Sequence, residues 1–262
     1  MNLSISNIAW DKVNNETVYE MMQQNGFSGL EIAPTIIFPM KPYEHLSEAK
    51  RWSDELMAKY DFQVSSMQSI WFGKHEKIFG SQEERKELLE YTKRAIDFAS
   101  VIGCKNLVFG CPRNRAIPQG ADMHIAKDFF KELGDYAYER NTIIGMEANP
   151  PIYNTNFVND TFSAIDLIDK VDSKGFLLNL DVGTMIENHE SVEMLCGRVE
   201  YINHVHVSEP GLKPIEKREL HAQLVELLKK EKYNRFVSIE MGKVEELSTI
   251  EKVIKYVKTI FK

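Results

Sequence analysis

A chain of 262 residues with 43% hydrophobic and 27% charged side chains has an ordinary globular composition, large enough for one α/β-barrel-sized domain or two smaller ones, and this excludes disorder. A net charge of −7 argues against a nucleic-acid partner, because a phosphate backbone is gripped by a basic surface, and it leaves a small molecule as the expected partner. No apolar stretch approaches the roughly 20 residues that cross a bilayer, the three cysteines lack CxxC spacing, and MNLSISNIAW lacks the marks of a signal peptide; a reduced, cytoplasmic protein is expected, with no membrane partner and with homo-oligomers left open.

The predicted elements alternate along the chain. Strand 3–6 (LSIS) precedes a helix over 15–25, strand 29–33 (GLEIA) one over 47–60, strand 62–67 (FQVSSM) one over 82–102, and strand 106–110 (NLVFG) one over 123–140. Strand 142–147 (TIIGME) then precedes a helix over 160–171, strand 175–181 (GFLLNLD) one over 189–197, strand 201–207 (YINHVHV) one over 218–231, and strand 236–241 (FVSIEM) one over 246–260. Eight such units without a Pro/Gly/Ser-rich linker predict an α/β fold, a single (β/α)8 TIM barrel spanning 1–262. The alternative is an open doubly wound sheet; against it, no GxGxxG follows the first strand and no GxxxxGKS/T occurs anywhere.

Function in a barrel concentrates where strands end. Strands five to eight close on Glu147, Asp181, His206 and Glu240, each after an apolar run in which an unpaired charge is costly to bury. Four such groups on adjacent strands neutralise one another or share a cation. Three carboxylates and one imidazole form an oxygen-rich site that suits one divalent ion, Mn²⁺ or Mg²⁺, with Co²⁺ and Zn²⁺ also compatible, and leave positions for a substrate. Alternation puts His204 on the same face as His206 but one layer deeper, where it orients His206 or fills the core.

In GMEANP, NLDVGTM, HVHVSEP and VSIEM the chain resembles the sugar phosphate isomerase/epimerase family, the xylose isomerase-like TIM barrels that include D-tagatose 3-epimerase and hydroxypyruvate isomerase. The resemblance implies that Glu147, Asp181, His206 and Glu240 are the metal ligands, and that Glu147 and Glu240 are also the catalytic acid–base pair. Two departures bear on the substrate. Thr184 stands where the family often has a histidine three residues after its aspartate, and Lys213 only loosely replaces the arginine that the epimerases carry after their histidine, so a ketohexose is disfavoured.

The chemistry also follows from the residues. A divalent ion chelated by the two oxygens of an α-hydroxy-ketone stabilises the enediolate, so a carboxylate can take the neighbouring proton. Return of a proton on the opposite face gives epimerisation; return to the adjacent carbon gives isomerisation. A metal-dependent sugar-acid dehydratase would use the same ligands. An endonuclease IV-like nuclease needs further histidines at strand ends two, three and six, where this chain has Glu31, Gln68 and Thr184.

Further candidates carry two readings each. Arg113 and Arg115, with Asn114, either hold a substrate carboxylate or phosphate or lie in a solvated loop. Trp71 and Phe72 either wall the site or pack on a neighbouring loop. Asn149 and Thr184 join the expected substrate-binding set, as does Lys213. Asn7, Glu31 and Gln68 close the first three strands as polar lining or core hydrogen-bonders. His45, His75, His124, His189 and His221 are expected at the surface.

Overall fold

A computed structural model describes residues 1–262. The apolar runs form eight strands, β1 (Asn2–Ser6), β2 (Gly29–Ile32), β3 (Gln63–Met67), β4 (Leu107–Phe109), β5 (Ile144–Glu147), β6 (Phe176–Asp181), β7 (Ile202–Val207) and β8 (Phe236–Ile239). Every pairing is parallel and β1 pairs with both β2 and β8, so the sheet closes on itself; the doubly wound alternative is excluded.

Nine helices stand between and after the strands: α1 (Asn15–Gln24), α2 (Pro34–Ile37), α3 (Leu46–Tyr60), α4 (Gln82–Val101), α5 (His124–Glu139), α6 (Thr161–Val171), α7 (Val182–Glu187), α8 (Glu219–Lys230) and α9 (Leu247–Phe261). Their buried residues recur at helical spacing, as in Ile250, Val253, Ile254 and Val257 of α9, and cover the outer face of the strands. Local chemistry sets the ends: Ser81 and Glu84 form a reciprocal capping box at the start of α4, and Asp160 caps α6 through the Ser163 N–H at 2.7 Å. No helix is long and apolar enough to cross a membrane.

The expected helix over 189–197 does not form. Instead α7 starts directly after β6, because Asp181 accepts the Thr184 N–H at 2.6 Å and so caps a helix seven residues earlier. His189, left-handed at φ 54°, ends that stretch, and only a 3-10 turn, Val192–Leu195, follows. His221 is a second correction: it is buried on the inner face of α8 with Leu224, Val225 and Leu228, its Nδ1 2.9 Å from the Tyr256 hydroxyl. His75, His124 and His189 are exposed, and His45 is half-buried against Phe38.

The inside of the barrel is polar. Leu3, Ile5, Leu30 and Leu107 belong to the apolar layer under the helices, whereas Ser6, Glu31 and Asn106 beside them face inward and bond across the barrel. Asn106 donates to the Ser66 hydroxyl at 2.9 Å and the Asn179 side-chain oxygen Oδ1 at 3.1 Å and accepts from the Asn203 side-chain amide at 2.8 Å. Each buried polar atom left without a partner costs about 1–3 kcal/mol, so the amides are networked, while the small hydroxyls of Ser4, Ser65 and Ser238 are left without partners.

Register aligns the functional layer. Leu178 pairs with Ile202, but Asn179 pairs with His204, so a β-bulge takes up one extra residue of β7. As a result Asp181 stands opposite His206; an unbroken ladder would have set it opposite Val205, whose side chain belongs to the outer apolar layer.

Candidate metal centre

Glu147 and Asp181 end β5 and β6, His206 lies in β7, and Glu240 follows β8, so closure of the barrel brings all four to one end. One ligand atom from each lies within 4.8 Å of all the others. The centre of the group is His206 Nδ1, 3.1 Å from Glu147 Oε2 and 3.1 Å from Glu240 Oε2. Neighbours hold Glu147, Asp181 and His206 in place. Asn149 and Asn179 donate to the two Glu147 oxygens at 2.9 and 3.0 Å, and the Ser208 hydroxyl donates to Asp181 Oδ2 at 2.5 Å. Behind the ring, His206 Nε2 lies 2.8 Å from Glu31 Oε2, an oxygen that His204 Nε2 also reaches at 3.1 Å. With Nε2–H donating to Glu31, Nδ1 turns toward the carboxylates, the arrangement that prepares an imidazole to bind a metal.

The electrostatics ask for a cation. No lysine or arginine forms an ion pair with the carboxylates of Glu147, Asp181 and Glu240; the basic group within ion-pair distance of Glu147 and Glu240 is His206. Burial pushes the Glu240 carboxyl up to about 7, against the pull of His206. Burial and the Glu147 charge push Asp181 up to about 6. Burial alone would lower the His206 imidazole, yet Glu240 and Glu31 raise it well above its usual value. A positive charge among these atoms, as a proton on Nδ1 or as a metal ion, satisfies all of them. The donor set fits a divalent ion: three carboxylates and one imidazole, close enough together to share one centre. Glu31, His204 and His206 form a second compact group, but hydrogen bonds to Glu31 already account for both of its imidazoles.

Above the cluster opens a cleft of about 770 Å³ with Glu147, Asp181 and Glu240 among its lining residues. Arg113, Asn114, Trp71, Phe72, Gln68 and Asn149 also line it. Trp71 is a buried wall, its Nε1–H donated to Thr92 at 2.8 Å and its ring edge-on to Phe109, while Phe72 is 71% exposed.

Three expected substrate contacts do not line the cleft. Arg115 is fully buried, donating to the Glu147 carbonyl at 2.8 Å, the Asn149 amide oxygen at 2.9 Å and the Val158 carbonyl at 3.3 Å; it braces the end of β5 from behind. Thr184 is buried outside the cleft, its hydroxyl donated to the Ala148 carbonyl at 2.8 Å. Lys213 is exposed and is not among the lining residues; Leu212, at the end of the 3-10 turn Pro210–Leu212, lines the cleft instead. Asn7 likewise turns away, to accept the Ala33 N–H at 2.8 Å. Glu31 is no cleft lining but the shared partner of both histidines.

Asn179, Ser208 and Tyr153 were missed. Asn179 had a signal: two residues before Asp181, it shares its face in the strand. Tyr153 had none, since only the folded chain sets its hydroxyl 2.9 Å from the Gly211 N–H on the cleft wall.

A closed parallel barrel with acidic and imidazole groups converging at the C-terminal ends of its strands defines an α/β-barrel protein with a candidate metal centre. The family model described as xylose isomerase-like TIM barrel matches residues 20–260, and the chain belongs to that family. By sequence, no curated protein matches the chain. Among solved structures, it is similar to 3-keto-D-glucoside 4-epimerase from E. coli at 17% identity over 99% of each chain, TM-score 0.78. It is also similar to D-psicose 3-epimerase from Clostridium cellulolyticum at 13% identity over 100% of each chain, TM-score 0.79. A family 2 AP endonuclease from Brucella melitensis shares the fold at 16% identity over 98% of each chain, TM-score 0.73. At these identities the likeness is one of fold.

Proposed function

We propose that the chain is a divalent-metal-dependent isomerase or epimerase acting on a sugar or sugar derivative, with Glu147, Asp181, His206 and Glu240 holding Mn²⁺ or Mg²⁺. The observation that carries the reading is that Glu147 and Glu240, from strands three positions apart round the barrel, both reach His206 Nδ1 at 3.1 Å and both line the cleft. A divalent ion there supplies Lewis acidity toward the oxygens of a hydroxy-carbonyl compound.

The chain's own groups do the rest. Glu147 and Glu240 each keep a carboxylate edge toward the cleft, where one takes a proton from a substrate carbon and the other returns one. Asn149 and Asn179 fix the angle of Glu147, and Trp71 and Phe72 supply apolar surface against a sugar face. Epimerases among the structural neighbours agree with this reading.

The test is a screen of small hydroxy-ketones and aldoses for carbon-bound proton exchange in D₂O with Mn²⁺ added. Exchange that disappears on chelation and in Glu240→Gln supports the proposal. Exchange that survives chelation, or none in any compound while the protein binds Mn²⁺, overturns it, and loss of water from a sugar acid would reassign the site to a dehydratase.

A further inference from the structure

The charges that line the cleft are sorted. The carboxylates Glu147, Asp181 and Glu240 form its floor, and Glu209 is occupied by a 2.5 Å ion pair with Arg218. The other charged lining residues are cationic or histidine and come from the two loops after β3 and β4. Lys74 is bound to Glu87 at 2.6 Å, but Arg113 and Lys77 are exposed, line the cleft and take part in no ion pair. In a chain of net charge −7, two unpaired cations on one cleft wall run against the average surface.

The wall is built rather than loose. Asn114, buried beside Arg113, donates its amide to the Lys74 carbonyl at 3.1 Å and the Glu76 carbonyl at 2.8 Å, and its own carbonyl accepts the Ile78 N–H at 2.9 Å. Those bonds fasten the two loops together, so Arg113 and Lys77 are presented by one unit. Floor and wall are also close. A Cβ on Gly110 would lie 3.0 Å from Glu147 Oε1, and Arg113 is three residues further along, at most about 11 Å of chain.

We propose that the substrate is a sugar derivative bearing an anionic group, phosphate or carboxylate, which Arg113 and Lys77 hold at the wall while the sugar lies over the floor. This rests on the floor being a metal site for a sugar substrate and names the class of that substrate. A guanidinium offers paired donors to two oxygens of either anion, and the ammonium adds a second charge. The cleft, at about 770 Å³, has room for a sugar ring and a substituent, and Phe72, exposed on its lining, offers an apolar contact.

The experiment is calorimetric titration of D-glucose 6-phosphate, D-glucuronate and D-glucose into Mn²⁺-loaded and chelated protein. At least one anionic sugar should bind at least about tenfold more tightly than D-glucose in both forms, the scale of a charge-assisted contact. The tighter of the two anions identifies the group. Arg113→Ala combined with Lys77→Ala should bring that affinity down to the D-glucose level with the melting temperature kept, and Arg113→Lys should retain part of it. Failure of both anionic sugars to bind more tightly than D-glucose, or a preference that survives the double variant, overturns the proposal. Titration with Mn²⁺ alone separates the two readings: anion preference without Mn²⁺ binding sinks the metal floor, and Mn²⁺ binding without anion preference sinks the anionic substrate.

Discussion

Glu31 Oε2 lies 2.8 Å from His206 Nε2, which fixes the imidazole from behind and leaves Nδ1 facing Glu147 and Glu240. Burial alone would raise the Glu31 carboxyl; His206 and His204 instead hold it far below the usual carboxylate range, so it stays ionised. Replacing it with Gln removes the charge that orients the ring. Mn²⁺ affinity should fall by about 10- to 100-fold in Glu31→Gln, the scale for losing such a support. Calorimetry on folded variant decides it, and an unchanged affinity would mean that His206 needs no help from Glu31.

Metal binding should be coupled to protons. Asp181 and Glu240 are raised to about 6 and about 7, so metal-free protein gains stability from their protonated forms below the ordinary carboxylate range and loses it as pH climbs through 6 and 7. His206, raised above its usual value, acts in the same direction. Glu31, depressed, acts oppositely and only in acid. His204 and His221, both depressed by burial, act oppositely below the ordinary histidine value, so the melting temperature of chelated protein should drop above about pH 6.5, as Glu240 and His206 lose their protons, while Mn²⁺ affinity rises as the ion replaces protons. A flat affinity over that range would contradict the shared site.

Under the proposed mechanism Glu147→Gln and Glu240→Gln keep a ligand oxygen but remove a base. Turnover should fall by at least about 10² in each while Mn²⁺ still binds, more weakly. An epimerase with its carboxylates on opposite faces should keep proton exchange from one substrate epimer only in each variant. Near-normal turnover in either variant leaves that residue a ligand alone.

Arg115 and Arg113, two residues apart, should differ in kind. Arg115→Ala leaves the Asn149 amide oxygen without a donor and takes one donor each from the Glu147 carbonyl and the Val158 carbonyl, which keeps the Asn149 N–H at 3.0 Å; a stranded buried acceptor costs about 1–3 kcal/mol. Thermal melts should show Arg115→Ala lowered by many degrees and Arg113→Ala close to the parent. Equal melting temperatures would remove Arg115 as the brace of β5.

The barrel and its four converging groups were legible because both signals are local. Strand alternation and helical spacing report which way each side chain points, and a charge that ends an apolar run marks the strand end whatever lies across from it. Seven of the eight predicted helices lie within a residue or two of the observed ones for that reason. The exception, 189–197, failed because a single side chain, Asp181, starts α7 earlier than the apolar pattern indicates.

What the sequence determined by itself, then, was the period of the elements, the eightfold alternation and the residues at the strand ends. Tertiary structure decided what each of those residues faces. Glu31 and His206 are 175 positions apart and meet only because the barrel closes. Asp181 faces His206 only because a bulge in β7 shifts the register by one residue. Arg115 points into the wall rather than the cleft because the carbonyls at the end of β5 needed a donor there. Side-chain direction follows from local backbone geometry, whereas partners depend on closure, register and the satisfaction of buried polar atoms, which are sums over the whole chain.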